Sequence, residues 1–310
     1  MYKVLKSNGT YKDISKVQPG EYLINIHGNP TKVISNKIKI AKRKTLLTTI
    51  KPQNWYINYK VPEQYDILHW NEANSEVIGW TNNMKGKQET RYLVTPSNIS
   101  WDMPDTFNHI FGDQKIESSY ELGYIFGTFL HIGTLNKYKG TALFFSDNTE
   151  ADFLKSKILE YSKVAFGKYP LEINMDVGGN QLQYLMFSDE NICDIFEEMM
   201  TSNGYKLPIL YHSKDLKYVK GLSDGMSHSR KYCKQLKIHH MELLYWTCLS
   251  LQKQIAFSGI TRTWKKSTYL ANPIKFETEI LKNNLKFNDL KVECATNTFV
   301  MNNAIFRNKS

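Results

Sequence analysis

Three runs of cationic side chains hold most of the chemical potential of this sequence. The first, Asn36-Lys37-Ile38-Lys39-Ile40-Ala41-Lys42-Arg43-Lys44, sets Lys37, Lys39, Lys42, Arg43 and Lys44 in one stretch without an acid. The second gathers Arg230, Lys231, Lys234 and Lys237 ahead of His239 and His240, and the third places Arg262, Lys265 and Lys266 around Trp264. Ammonium and guanidinium groups neutralise phosphates and release counterions, so such runs predict an affinity for polyanions that falls steeply with salt. The whole chain leans the same way, with 40 Lys and Arg against 30 Asp and Glu and a formal net charge of +10 over 310 residues. A solvated surface carries the same residues, so charge alone leaves nucleic-acid binding and plain solubility both open.

Other reactive side chains are sparse. Cys193, Cys233, Cys248 and Cys294 form no C-x-x-C pair, which argues against a zinc site or a disulfide framework and for free thiols in a reducing compartment. His239 and His240 are adjacent, and adjacent side chains point to different faces of a helix or strand, so they make no metal pair. The start of the chain lacks the apolar run of a signal peptide, and no stretch approaches the roughly 20 apolar residues that span a bilayer. A soluble, intracellular protein without a membrane partner is expected, in the cytoplasm or the nucleus.

The elements that must position these groups change character along the chain. Over the first hundred residues, Asn8-Gly9, Pro19-Gly20 and Gly28-Asn29-Pro30 punctuate short runs rich in Val, Ile and Tyr. Strands are expected at 22–26, 32–34, 45–50, 55–61 and 92–95, an all-β pattern by its turn spacing. From about residue 105 the texture mixes: a helix over 121–131, a strand at 141–145, and a helix over 149–162 opened by Asp147-Asn148-Thr149. Strands at 171–175 and 182–187 come next, then a helix to about residue 200 capped by Ser188-Asp189-Glu190. Helices beginning at 218 and 241 follow, and strands and turns return from residue 276. The expected fold class is α+β, with an all-β module built from 1–110 and 272–310 around an α+β domain at 111–271.

Specific segments sharpen this picture. The opening Ser7-Asn8-Gly9-Thr10-Tyr11-Lys12-Asp13-Ile14-Ser15-Lys16-Val17-Gln18-Pro19-Gly20-Glu21, followed by His27-Gly28-Asn29-Pro30-Thr31-Lys32-Val33, resembles the start of Hint modules, the fold of inteins and hedgehog autoprocessing domains. The end, Asn288-Asp289-Leu290-Lys291-Val292-Glu293 and then 298–308, is similar to the closing blocks of an intein. Between them, Ile125-Phe126-Gly127-Thr128-Phe129-Leu130-His131-Ile132-Gly133 and Val219-Lys220-Gly221-Leu222-Ser223-Asp224-Gly225-Met226-Ser227 resemble the two helices of LAGLIDADG homing endonucleases. The resemblance implies a Hint-like β module interrupted by an αββαββα endonuclease-like domain. Its second half is shortened, since about 45 residues follow Ser227 before the tail resumes. It also implies that the two motif helices pack through small residues, here Gly127 and Gly221.

The same resemblance says which chemistry to look for, and most of it is replaced. Splicing needs a Cys or Ser ahead of the Hint pattern; with Met1 only a few residues before it, no upstream nucleophile is expected. The T-x-x-H motif has two places, Val61-Pro62-Glu63-Gln64 and Thr95-Pro96-Ser97-Asn98, and neither holds the histidine. The penultimate His position is Arg307, the cyclising Asn is retained as Asn308, and Lys309 after it offers no acyl acceptor. The nuclease would need a carboxylate at the eighth position of each motif to hold Mg²⁺. Those positions are Ile132 and Met226, and neither can ligate a hard cation. Asp224, two residues earlier, points to another face of its helix. The strands that would face DNA in the family carry Phe144, Phe145, Tyr184 and Phe187 rather than cations.

Three functions follow as expectations. The first is a splicing-dead, nuclease-dead DNA-binding or nucleoprotein-associated factor that needs no cofactor and takes double-stranded DNA as partner. The second is an active, Mg²⁺-dependent, site-specific endonuclease. The third is a structural or protein-interaction subunit that reuses the fold.

Overall fold

The computed structural model describes residues 2–52, 59–63, 65–71, 78–81, 91–96, 98–136, 140–146, 152–177, 180–202, 204–230, 238–251, 264–266, 269–301 and 304–308. Helix and sheet segregate as an α+β protein with two compact units, one of Met1–Asp102 with Gln252–Ser310 and one of Met103–Leu251. The sequence places the joints at 110/111 and 271/272, and contacts put them elsewhere for physical reasons. The hairpin of Asn108–Phe111 and Gln114–Glu117 packs on helices of the second unit. The strand Tyr269–Ile280 runs unbroken through 271/272, hydrogen-bonded to Leu46–Pro52 and Arg91–Pro96 in the first unit.

The first unit is built of antiparallel strands. Gly9 sits at φ 79°, the left-handed conformation that lets Lys3–Leu5 turn back onto Tyr11–Asp13. The two chain ends meet in one sheet: Val4 pairs with Met301, the hairpin Thr298–Met301/Ala304–Asn308 follows, and Ala304–Asn308 lies on Tyr65–Asn71. Leu5, Leu23, Phe299 and Phe306 are fully buried, with Tyr65 edge-on to both phenylalanine rings. The long strand Pro30–Ala41 leaves this core and pairs along its outer half only with Leu285–Val292, as a two-stranded ribbon.

The second unit stacks helices on one face of a four-stranded antiparallel sheet, in the order Gly133–Asn136, Thr141–Ser146, Asn180–Phe187, Leu171–Val177. The helices are α1 (Tyr120–Ile132), α2 (Asp152–Phe166), α3 (Glu190–Glu197), α4 (Leu216–Ser229) and α5 (Ile238–Ser250). The side chains of Ser119, Asp189 and Asp215 accept backbone N–H groups at the starts of α1, α3 and α4, closing donors that the first turn leaves open. The expected cap of α2 at 147–149 lies outside the described residues. Phe144, Leu185 and Phe187 face inward onto Phe129, Phe166 and Phe196, so a single aromatic cluster joins sheet to helices. Among the described residues of this unit no strand follows α4.

Candidate functional site: a glycine-crossed helix pair and a basic ribbon tip

α1 and α4 cross with their backbones in contact. A Cβ on Gly123 would lie 2.2 Å from the Tyr218 carbonyl oxygen, and one on Gly221 would lie 2.0 Å from that of Tyr120. A Cβ on Gly127 would meet the Leu222 oxygen at 2.3 Å, and one on Gly225 the Tyr124 oxygen at 2.2 Å. No side chain fits at any of the four. The contacts are reciprocal: residue n of α1 answers to residue n + 98 of α4, so that Tyr120 matches Tyr218, Gly123 matches Gly221 and Gly127 matches Gly225. Gly127 and Gly221 both lie in the crossing, but each is the counterpart of a different glycine. The same relation sets Arg230, not Met226, opposite Ile132.

The C-terminal end of the crossing is closed by His131 and Ser229, which are counterparts under this two-fold relation. His131 Nδ1 and Ser229 Oγ lie 2.7 Å apart, and the hydroxyl donates to the Gly225 carbonyl at 2.7 Å. With its proton on Gly225, the hydroxyl accepts from the ring, which places a proton on Nδ1. Burial, and then the Arg230 charge, push the His131 pKa down to about 4. Ser229 is wholly buried, so this pair clamps helices and meets no substrate.

The positions that the family resemblance marks for metal carboxylates hold Met226, which is buried, and Ile132, which is half-buried in a pocket of mixed lining. Met226 is 2% exposed inside the crossing. Ile132, the last residue of α1, lines a pocket with Phe144, Leu154, Ile158 and Leu185, rimmed by the Lys155–Glu172 ion pair. Asp224 accepts a hydrogen bond from the Tyr120 hydroxyl at 3.0 Å, beneath Lys220, which sits 5.6 Å over the Tyr120 ring. Burial and this carboxylate raise the Tyr120 pKa. Asp224 therefore works as a local partner that ties the start of α1 to α4. Among the described residues no group of three or more His, Cys, Asp or Glu could hold a metal ion.

At the close of the chain, Asn308 is buried and fully engaged. Its amide donates to the Asp289 carboxylate and to the Leu290 carbonyl at 3.1 Å, while its backbone carbonyl accepts from Asn297 Nδ2 at 3.1 Å. Arg307 pairs with the buried Asp66 and lies 4.5 Å over the Trp80 ring. Cys193 and Cys248 are buried and Cys294 half-buried; Cys233 lies outside the described residues.

The cationic runs fare differently. Lys231, Lys234, Lys237 and Arg262 lie outside the described residues, as do the side chains of His239, His240, Lys265 and Lys266. Arg230 is half-buried at the end of α4. Lys39 is paired with Asp289 at 2.8 Å, which the sequence could not reveal because the two are brought together only by strand pairing. Lys37, Lys42, Arg43 and Lys44 are exposed and form no ion pair among the described residues. Backbone bonds lock their turn to a second one: Lys44 N–H donates to Leu281 O at 3.0 Å, Leu281 N–H to Thr45 O at 2.9 Å, and Arg43 N–H to Asn284 Oδ1 at 2.8 Å. Lys282 thereby joins Lys42–Lys44 at one tip, and Lys286 lies just behind it opposite Ile40; both are exposed and likewise form no ion pair among the described residues. The local signal was the turn run Lys282-Asn283-Asn284; its neighbourhood to the first cluster was not readable from spacing.

What these features define is a two-unit α+β protein with a clamped helix crossing and an exposed basic tip. No protein-family model matches the chain, and no curated protein matches it.

Proposed function

We propose that this protein is a nucleic-acid-binding factor descended from an intein with a LAGLIDADG-type endonuclease insert, in which both ancestral reactions are lost. The observation that carries the binding is the tip at Lys42, Arg43 and Lys44, exposed cations that form no ion pair among the described residues. A cation already paired gains little from a phosphate, whereas an unpaired one releases a counterion when it meets one. The ancestry is supported by two features: chain ends that join in one β unit with the second unit between them in sequence, and a glycine-to-backbone crossing of α1 and α4. The loss of cleavage is supported by the apolar side chains of Ile132 and Met226 at the marked positions, and the loss of splicing by an Asn308 amide held on Asp289 and Leu290. Equilibrium binding of the wild type and of a Lys42→Ala/Arg43→Ala/Lys44→Ala variant to a labelled duplex tests the reading. The slope of log affinity against log salt is expected to be shallower by about three in the variant, since each neutralised phosphate adds about 0.9 to it. An unchanged slope would remove the tip from binding.

One observation favours a second reading, a protein-interaction subunit. The outer face of the second unit's sheet is apolar, with Leu171 54% and Met175 46% exposed beside half-buried Leu143, Ile173, Tyr184 and Met186. Such a face suits a protein partner better than a phosphate backbone.

A further inference from the structure

The ribbon behind the basic tip has a feature that phosphate binding alone does not use. From Lys37 to Ile40 every residue is exposed, while on the partner strand Asp289 is buried and Phe287 half-buried edge-on to Tyr65, so the face opposite these two is the open one. Strand register fixes which residues share a face. Ile38 lies opposite Asn288 and Ile40 opposite Lys286, while Lys37 and Lys39 lie on the other face opposite Asp289 and Phe287. Ile38 is 71% exposed and Ile40 56%. Two isoleucines side by side on an open ribbon face are costly in water and suit an occupied surface.

Resting on the reading of this protein as a nucleic-acid binder, we infer that the ribbon of Lys37–Ala41 and Leu285–Asp289 enters the major groove of duplex DNA. Ile38 and Ile40 face the base edges; Lys286, beside Ile40 on the same face, and the tip cations Lys42, Arg43, Lys44 and Lys282 reach the phosphates at the rim of the groove. The dimensions agree: the major groove is about 12 Å wide and admits a two-stranded β-ribbon, and it exposes thymine methyl groups to aliphatic contact. Five residue pairs extend about 17 Å, longer than the groove's depth of about 8.5 Å. The order of residues along the ribbon favours a groove over a lipid surface. A bilayer-inserting hairpin carries its apolar residues at the extreme tip, whereas here the tip is Lys42-Arg43-Lys44 with Lys282-Asn283-Asn284 and the isoleucines stand behind it.

The test compares affinities for alternating dA·dT and dA·dU duplexes, which differ only by the thymine methyl, over a salt series. The wild type is expected to prefer dA·dT several-fold. Ile38→Ser/Ile40→Ser abolishes that preference and leaves the salt slope. Lys282→Ala/Lys286→Ala weakens both duplexes alike and lowers the slope by about two. Lys37→Ala, on the opposite face, changes the preference in neither direction, and thermal melts confirm that each variant folds. Binding without a methyl preference, and with a slope indifferent to Lys282 and Lys286, overturns the groove placement and leaves the proposed function standing. No duplex binding at low salt overturns both. Capture by phosphatidylserine-containing vesicles without duplex binding would assign the ribbon to a membrane surface instead.

Discussion

Replacing Gly127 with alanine puts a methyl carbon 2.3 Å from the Leu222 carbonyl oxygen and 3.1 Å from the Met226 amide nitrogen. Both obstacles are backbone atoms of α4, so no side-chain rotation relieves them. Ordinary contact begins near 3.4 Å, and the helices must therefore part by about 1 Å, which loosens packing along the whole crossing. Overpacking of this kind costs about 1–3 kcal/mol, and a rigid backbone obstacle places it at the upper end. Alanine in place of a mid-helix glycine returns about 1 kcal/mol through helix propensity. The net expectation is a destabilisation of about 2 kcal/mol. Gly225→Ala acts at the counterpart position of the same crossing and should cost a similar amount. Once one methyl has parted the helices the other has room, so the double variant should fall short of the sum by about 0.5 kcal/mol or more. Urea unfolding followed by helical circular dichroism reads all three. A Gly127→Ala protein that gains about 1 kcal/mol, as an alanine in an open helix does, would refute the backbone contact.

Three further outcomes follow from the same geometry. His131 is held neutral in the fold with a pKa of about 4 against about 6.5 unfolded; its contribution is complete above pH 6.5 and is lost as the pH falls towards 4. After allowance for solvent screening the loss is roughly 2 kcal/mol, so melts of the wild type should decline more steeply from pH 7 to 5 than those of His131→Gln, and parallel declines would contradict the assignment. Asn308→Ala leaves the buried Asp289 without one donor and should cost about 2 kcal/mol in the first unit's unfolding; a change too small to resolve would mean the amide is dispensable. Lys44 sits at φ 74°, where asparagine is better tolerated, and Lys44→Asn should raise stability by about 0.5 kcal/mol, whereas a loss in thermal melts would show that the lysine side chain holds the turn.

Local signals carried well where local physics decides. Asn8-Gly9 marks a turn because one residue must take φ 79°, and Asp189 marks a helix start because its carboxylate reaches an open N–H. The hairpin around Gly112 was missed, although Gly112-Asp113 is a turn signal of the same kind, with φ 58° at the glycine. At the crossing, small residues were legible but their pairing was not. Gly123-x-x-x-Gly127 and Gly221-x-x-x-Gly225 both have the four-residue spacing that lines one helix face. Matching the two motifs by letter pairs Gly127 with Gly221, while packing matches it with Gly225. The basic tip was half legible: Lys42, Arg43 and Lys44 are contiguous, but Lys282 joins them only through two turns that meet in space, and Lys286 lies behind it only through strand pairing. Lys39 shows the converse, a cation in the run that the fold commits to Asp289.

The central claim, binding without cleavage, is tested most directly by incubating the purified protein with a labelled duplex across a salt series, with and without Mg²⁺. The account predicts affinity that falls steeply with salt, is indifferent to Mg²⁺, and leaves the duplex intact. Mg²⁺-dependent cuts would contradict it by requiring carboxylates that Ile132 and Met226 do not supply, and an absence of binding even at low salt would remove DNA from the function altogether.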